Sequence, residues 1–258
     1  MLTEALFQEG LDYAEDNFRN ENAAHLKIDK QLIRKSFDLT GKKILDFGCG
    51  MGGMTLWYAS NWNCDVLGLD IDRHHIEIAK QIQEKFGVKN IRFEKRNILE
   101  HPIDEKFDYV FLNDVAEHIP YAILTAIFKH LRTVLKPDGK IFVTYPPWHS
   151  PYASHVYHVV GIPWCQYLPE NTLLRLIAKN NRPIVGEEES DLIEAYKGLN
   201  HLTHDRLMKV ITEAGFNVVS RTNHAVLNKL PLLKKVNFSF FPLRYLVTKE
   251  FLLLEIKK

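Results

Sequence analysis

Ile44-Leu45-Asp46-Phe47-Gly48-Cys49-Gly50-Met51-Gly52-Gly53 is the stretch whose reading decides the fold. An apolar run enters a turn carrying four glycines and leaves it through Met54-Thr55-Leu56-Trp57-Tyr58-Ala59. Glycines at such a point let the backbone turn sharply and leave room for a ligand to press against the main chain, where a Cβ would intrude. A loop of this kind binds a nucleotide-like cofactor, and the flanking chain must say which.

Working outward, Leu2 to about Phe37 is mixed polar with apolar residues at helical intervals, clearest at Ile28, Leu32, Ile33 and Phe37, which predicts one or two amphipathic helices. Thr40-Gly41-Lys42 stops them, and Lys43 to Phe47 reads as a buried strand. Beyond the loop come a helix to about Asn61, a strand Asp65–Asp70 and a helix Arg73–Phe86 stopped by Gly87. Ile91–Glu94 and Phe107–Leu112 are the third and fourth strands. A helix from about Pro120 to Leu135, a turn Lys136-Pro137-Asp138-Gly139 and a fifth strand Ile141–Thr144 follow. Strands alternating with helices imply a doubly wound α/β fold, a mostly parallel sheet with helices on both faces.

The rhythm breaks between Tyr145 and about Asn200, where proline, histidine and aromatics accumulate around one clear amphipathic helix, about Glu170 to Lys179, and an acidic loop, Glu187-Glu188-Glu189. A long irregular insertion after the fifth strand reads as a lid or binding loop. The core resumes with a helix Thr203–Ala214, capped by Thr203 and stopped by Gly215, and two last strands, Phe216–Val219 and Phe251–Ile256, bringing the sheet to seven. The organisation expected is N-terminal helices over the cleft (1–40), a core (41–145 and 201–258) and an inserted lid (146–200). The apolar connection Leu230 to Pro242 reads as packed cover for the core or cleft rather than a membrane-touching or dimer surface.

Composition sets the outer bounds. The 258 residues suffice for one large domain with elaborations, and 33 basic against 32 acidic side chains give no imbalance that points to nucleic acid. Cys49, Cys64 and Cys165 are odd in number and far apart, which suits neither a disulfide framework nor a zinc site. With no leader pattern and no run long enough to span a bilayer, a cytoplasmic protein without a membrane span is expected.

The glycines fit two fingerprints, Gly48-x-Gly50-x-Gly52 and Gly48-x-Gly50-x-x-Gly53. Asp70, 22 residues after Gly48 at the end of the second strand, can accept both hydroxyls of a ribose in either case. Asp46 discriminates: a charge there is unwelcome beside a pyrophosphate but helps to hold a cationic amino group. The fourth strand then ends Asn113-Asp114-Val115-Ala116-Glu117-His118, and Leu135-Lys136-Pro137-Asp138-Gly139-Lys140-Ile141 opens the fifth. With these motifs the stretch from Lys42 to Thr144 resembles the class I S-adenosylmethionine-dependent methyltransferases of small-molecule type, whose Rossmann-like fold the resemblance implies here.

The resemblance also implies roles. Gly48, Gly50 and Gly52 would line the methionine portion of S-adenosyl-L-methionine, and Asp46 would orient its ammonium. Asp70 would hold the ribose, Ile71 would pack on the adenine, and Asn97 with the backbone of Ile98 would meet the adenine amino group, Asn97 standing where relatives often carry aspartate. Asn113 and Asp114 would close the site near the sulfonium. Cys49 reads as a small filler, not a nucleophile.

Methyl transfer is an in-line displacement in which positioning and exclusion of water dominate, with a base needed for a protonated acceptor. His118, His149 and His155 are the catalytic candidates, with His158 nearby. His155 and His158 stand at i, i+3, but no carboxylate pattern accompanies them and no metal is expected. Tyr145, Trp148, Tyr152, Tyr157, Trp164 and Tyr167 suggest a cleft for a flat or sugar-like small-molecule acceptor, or ordinary lid packing. The Asn-Pro-Pro-Tyr type motif of nucleic-acid base methylation is absent after the fourth strand. Small-molecule O-methylation is the expected activity. An NAD(P)-dependent oxidoreductase on the same glycine loop and a catalytically inactive methyltransferase-like binding protein are the alternatives.

Overall fold

The computed structural model describes residues 3–23, 25–186, 191–234 and 236–257, so the acidic loop Glu187-Glu188-Glu189 lies outside it. Thr3 caps α1 (Glu4–Arg19) by accepting from the Leu6 N–H, and α2 (Lys27–Ser36) follows. The last carbonyls of a helix lack intrahelical donors. Here the buried Lys30 supplies them, its Nζ donating to the carbonyls of Asn17 at 2.6 Å and Asn20 at 3.0 Å.

β1 (Lys43–Phe47), α3 (Gly53–Trp62), β2 (Asp65–Asp70), α4 (Arg73–Phe86), β3 (Ile91–Lys95), β4 (Phe107–Asn113) and α5 (Tyr121–Thr133) come in the expected order. Asp72 caps α4 through the His75 N–H, and Gly87 ends it at φ 64°. β1 runs parallel to β2 and to β4, and β2 parallel to β3. β5 (Leu135–Tyr145) begins earlier than expected and takes in Lys136–Gly139. The chain still doubles back there, since a Cβ on Gly139 would lie 3.1 Å from the Lys136 carbonyl oxygen.

After β5 the chain forms α6 (Tyr157–Val160), α7 (Glu170–Ala178), α8 (Leu192–Gly198) and α9 (His204–Glu213), the last capped by Thr203. Among the described residues, the segment expected to be irregular around one helix therefore carries three α-helices before α9. They surround a core of their own that includes Val156, Cys165, Leu173, Ile177, Leu192 and Tyr196.

β6 (Phe216–Ala225) and β7 (Val247–Ile256) pair antiparallel and complete a sheet ordered β3-β2-β1-β4-β5-β7-β6. Both strands are longer than the apolar runs that announced them. Ser220-Arg221-Thr222-Asn223-His224 shows no apolar alternation, yet the ladder to β7 satisfies its backbone as far as Ala225. A correction applies to the connection between these strands: Phe238 is buried, but Leu230, Leu232, Phe240 and Phe241 face solvent instead of covering the core.

The chain divides into two compact units. The first holds α1 to β3, β4 as far as Leu112, Thr133–Lys140, and Val185 and Gly186; the second holds Asn113–Arg132, Ile141–Ile184 and the chain from Asp191 onward. Among the described residues, no helix is long and apolar enough to cross a membrane.

Candidate active site

In the first unit the glycine loop is built against β2. The N–H groups of Gly48 and Cys49 both donate to the Leu69 carbonyl, at 2.8 and 2.9 Å. Gly48, Gly50 and Gly52 have φ of 72°, 52° and 80°, the left-handed region that side chains with a Cβ avoid. Their surroundings differ. A Cβ on Gly52 would come within 2.8 Å of Ala79 and Phe93, whereas one on Gly50 would meet nothing within 4 Å. Gly53 is helical, and its Cβ would fall 2.5 Å from the Asn17 Cβ and 2.7 Å from the Ala14 carbonyl oxygen. Close approach of α1 is therefore the reason for the fourth glycine.

The Asp70 carboxylate is held by the loop it follows: Gly50 N–H donates to Oδ2 and Asp72 N–H to Oδ1, each at 2.9 Å. Burial alone would raise this carboxyl, but His75, 3.6 Å away, and the two N–H donors outweigh it and keep the carboxyl below its ordinary value. His75 is correspondingly raised: burial opposes its protonation, and Asp70 more than compensates. An ionised, oriented carboxylate beside open space at Gly50 fits a ribose-bearing ligand, and the next side chain, Ile71, is 63% exposed.

Asp46 is buried on β1, and its Oδ2 accepts from Thr55 Oγ1 of α3 at 2.6 Å. Burial pushes this carboxyl up to about 7, against the Thr55 hydrogen bond and with the help of the Asp70 charge. A ligand cation placed there would favour the ionised form. The Cys49 thiol is pushed well up by burial and by Asp70 and Asp46, which suits an inert filler.

Asn97 and buried Ile98 follow β3. The Asn97 carboxamide already serves its own turn, Oδ1 accepting from Leu99 N–H at 3.1 Å and Nδ2 donating to Glu100 at 2.8 Å. One lone pair of Oδ1 is left for a ligand donor.

In the second unit the end of β4 leads into a separate polar cluster. Asp114 sits at φ 53°, its N–H bound to the Thr144 carbonyl and its carboxylate 2.6 Å from Lys249 Nζ; Asn113 before it is half-buried. Glu117, His118 and His155 come together: the His118 and His155 rings are 4.9 Å apart edge to face, and His155 Nε2 lies 3.7 Å from Glu117 Oε1. Asn200 fixes the loop beneath them, donating to the carbonyls of Ala116 and Ile119 at 2.7 and 2.6 Å. His155 is pushed down to about 4 by burial and by the His118 charge, so it is neutral at pH 7.

His149 stands apart from this group, against the Tyr245 ring at 5.3 Å, and His158 is exposed. Among the described residues the trio that could hold a metal ion is Glu117, His118 and His155, whose ligand atoms lie within 4.8 Å of one another, rather than the His155 and His158 pair at i, i+3. Of the aromatics, Tyr145 is fully buried and Trp148 stacks on His201 at 3.9 Å, which is packing, while Tyr167 is exposed. Tyr145 Oη instead donates to Glu250, which also pairs with His204 at 2.6 Å and Arg221 at 2.8 Å.

Glu117, Asn200, Lys249 and Glu250 were not among the residues singled out from sequence. Glu117 stood inside a quoted motif, and Lys249-Glu250 had one available signal, two charges entering a strand that is otherwise mostly apolar. Nothing in the sequence marked Asn200.

Residues 38–215 match the family described as methyltransferase domain, and the chain belongs to that family. Phosphoethanolamine N-methyltransferase 3 of Arabidopsis thaliana is 35% identical over 107 residues, 40% of this chain and 21% of that protein. A ubiquinone biosynthesis O-methyltransferase of Acinetobacter baylyi is 28% identical over 137 residues, 52% of this chain and 56% of that one. The matches thus span well under two thirds of these curated relatives. A crystal structure of an S-adenosylmethionine-dependent methyltransferase from Clostridium acetobutylicum shares the fold, with a TM-score of 0.63 at 13% identity over 97% of this chain and 99% of that one. The domain is an enzyme's, its cofactor is S-adenosylmethionine, and the nicotinamide alternative gives way.

Proposed function

We propose that the protein transfers a methyl group from S-adenosylmethionine to a hydroxyl of a small-molecule acceptor in the cytoplasm. The observation that carries the choice of acceptor chemistry is the clustering of His155, from the chain after β5, with Glu117 and His118, which follow β4. Three free cysteines support a reducing compartment.

When bound, the cofactor supplies an electrophilic methyl group on a sulfonium. Asp46 would orient its ammonium, Gly48, Gly50 and Gly52 would line its methionine portion, and Asp70 would hold the ribose hydroxyls. Ile71 would pack on the adenine and Asn97 and Ile98 would meet its edge; Asn113 and Asp114 would serve the sulfonium. Exposed Tyr167 would offer a face to a flat or sugar-like acceptor. His118 would serve as the base that accepts the proton of an acceptor hydroxyl. Neutral His155 and Glu117 orient the His118 ring.

The test is formation of S-adenosylhomocysteine over a panel of phenols, catechols, sugars and amines. His118→Ala is expected to lower kcat by about 10²- to 10⁴-fold, the usual worth of a positioned base, with S-adenosylhomocysteine affinity unchanged, while His149→Ala stays near wild type. An unaffected His118→Ala enzyme would overturn the assignment. The 4.8 Å clustering also favours a second reading, in which the trio ligates a divalent cation that activates the acceptor oxygen. Loss of activity in a chelator with recovery on adding Mg²⁺ would select it.

A further inference from the structure

The connection between β6 and β7 is an exposed apolar surface on a hydrogen-bonded mount. Asn223 and Asn228, both buried, hold it from beneath. Asn223 exchanges two hydrogen bonds with the Phe238 backbone, each at 3.0 Å, and Asn228 Nδ2 donates to the carbonyls of Leu233 at 2.7 Å and Val236 at 3.0 Å. Phe238 packs with Ala225 and Val247, and Leu227, Leu233, Leu243 and Leu246 close around them. With those side chains turned inward, Leu232 is left 96% exposed, Phe241 72%, Phe240 58% and Leu230 52%. Large apolar side chains raised on a built platform mark an interaction surface rather than incidental exposure.

Charge decides the occupant. Between Val226 and Leu246 stand Lys229, Lys234, Lys235 and Arg244, with no aspartate or glutamate. A second copy docked about a two-fold axis would set this cationic segment against itself, like charge on like. Lipid headgroups of negative charge attract it, while leucine and phenylalanine side chains enter the acyl boundary. We propose that this connection is a peripheral docking surface for an anionic lipid bilayer, seating Leu232, Phe240 and Phe241 at the headgroup boundary with Lys229 and Lys234 on the phosphates. The chain lies on such a surface and does not span it. The proposal stands independently of the acceptor and of the base.

The experiment is flotation of the full chain with vesicles of phosphatidylcholine alone or with phosphatidylglycerol added. Wild type is expected to bind the anionic vesicles at least about tenfold more strongly than the neutral ones, and to be released by salt as surface electrostatics are screened. Leu232→Ser/Phe240→Ser/Phe241→Ser should lose about tenfold or more of that binding, with melting temperature and S-adenosylhomocysteine affinity close to wild type because each of these side chains is more than half exposed. If that variant misfolds, Lys229→Glu/Lys234→Glu, which changes only exposed lysines, should lose the preference for anionic over neutral vesicles. The proposal is overturned if wild type ignores anionic vesicles at low salt, or if a folded variant of either kind floats like wild type. It is also overturned if wild type is a dimer by light scattering that the triple variant dissolves while neither floats, which would assign the face to a second copy.

Discussion

Asp46, buried, and Asp70, half-buried, are carboxylates near strand ends that differ in state because the donors around them differ. Asp70 has two backbone N–H groups and His75, whereas Asp46 has one hydroxyl. Asp70→Ala should weaken S-adenosylhomocysteine binding by about 1 to 3 kcal/mol, the scale of lost charge-assisted hydrogen bonds, and unchanged affinity in calorimetry would mean that the ribose lies elsewhere. For Asp46 the folded-state value, about 7, lies above the unfolded 3.8. Its protonated form therefore contributes stability fully below 3.8, and that contribution is lost as pH rises through about 7. Thermal denaturation of the ligand-free protein should show this decline, and Asp46→Asn should flatten it, melting about 2 to 4 °C above wild type at alkaline pH for each ~1 kcal/mol recovered. Both residues could be read from the sequence because their positions relative to Gly48 are local. The pairing of Asp114 with Lys249 could not, since only folding brings Lys249 of β7, across the intervening β5, within reach of the end of β4.

Elements depend on close contacts that local sequence signals only in part. The glycines of the loop read as one ligand cradle, yet Gly53 is required by α1 and Gly52 by Ala79 and Phe93, while Gly50 leaves the open space. Gly53→Ala should destabilise by about 1 to 3 kcal/mol, the cost of forcing a packed interface apart, read as a lower urea midpoint. A substitution without effect there would show that α1 is free to shift. β6 and β7 meet through Glu250, buried between His204, Arg221 and the Tyr145 hydroxyl. Burial alone would raise its carboxyl, but His204 and Arg221 hold it below 4.5, so the stability it contributes is present above 4.5 and is lost as pH falls through the folded value. Glu250→Gln leaves Arg221 without a counter-charge and should cost about 3 to 5 kcal/mol in urea unfolding; a loss under about 1 kcal/mol would mean that the cluster is solvated.

For the whole molecule, cofactor binding is linked to stability. Ligand at 100 times its Kd adds about 2.7 kcal/mol to a fold that binds it. S-adenosylhomocysteine is accordingly expected to raise the melting temperature by about 5 to 10 °C, whereas NAD should leave it unchanged; the reverse pattern would contradict the cofactor. The order of strands and helices, the glycine loop and its two aspartates were determined by the sequence alone, because strand and helix periods, glycine φ and carboxylate spacing are properties of neighbouring residues. Only the tertiary structure decided that His118 meets His155 and Glu117 rather than His149, that Tyr145 is sealed against Glu250, and that Leu232, Phe240 and Phe241 face outward. Each of those outcomes depends on which distant segments pack together, and burial, charge pairing and exposure are set by those partners, not by the residue's own stretch of chain.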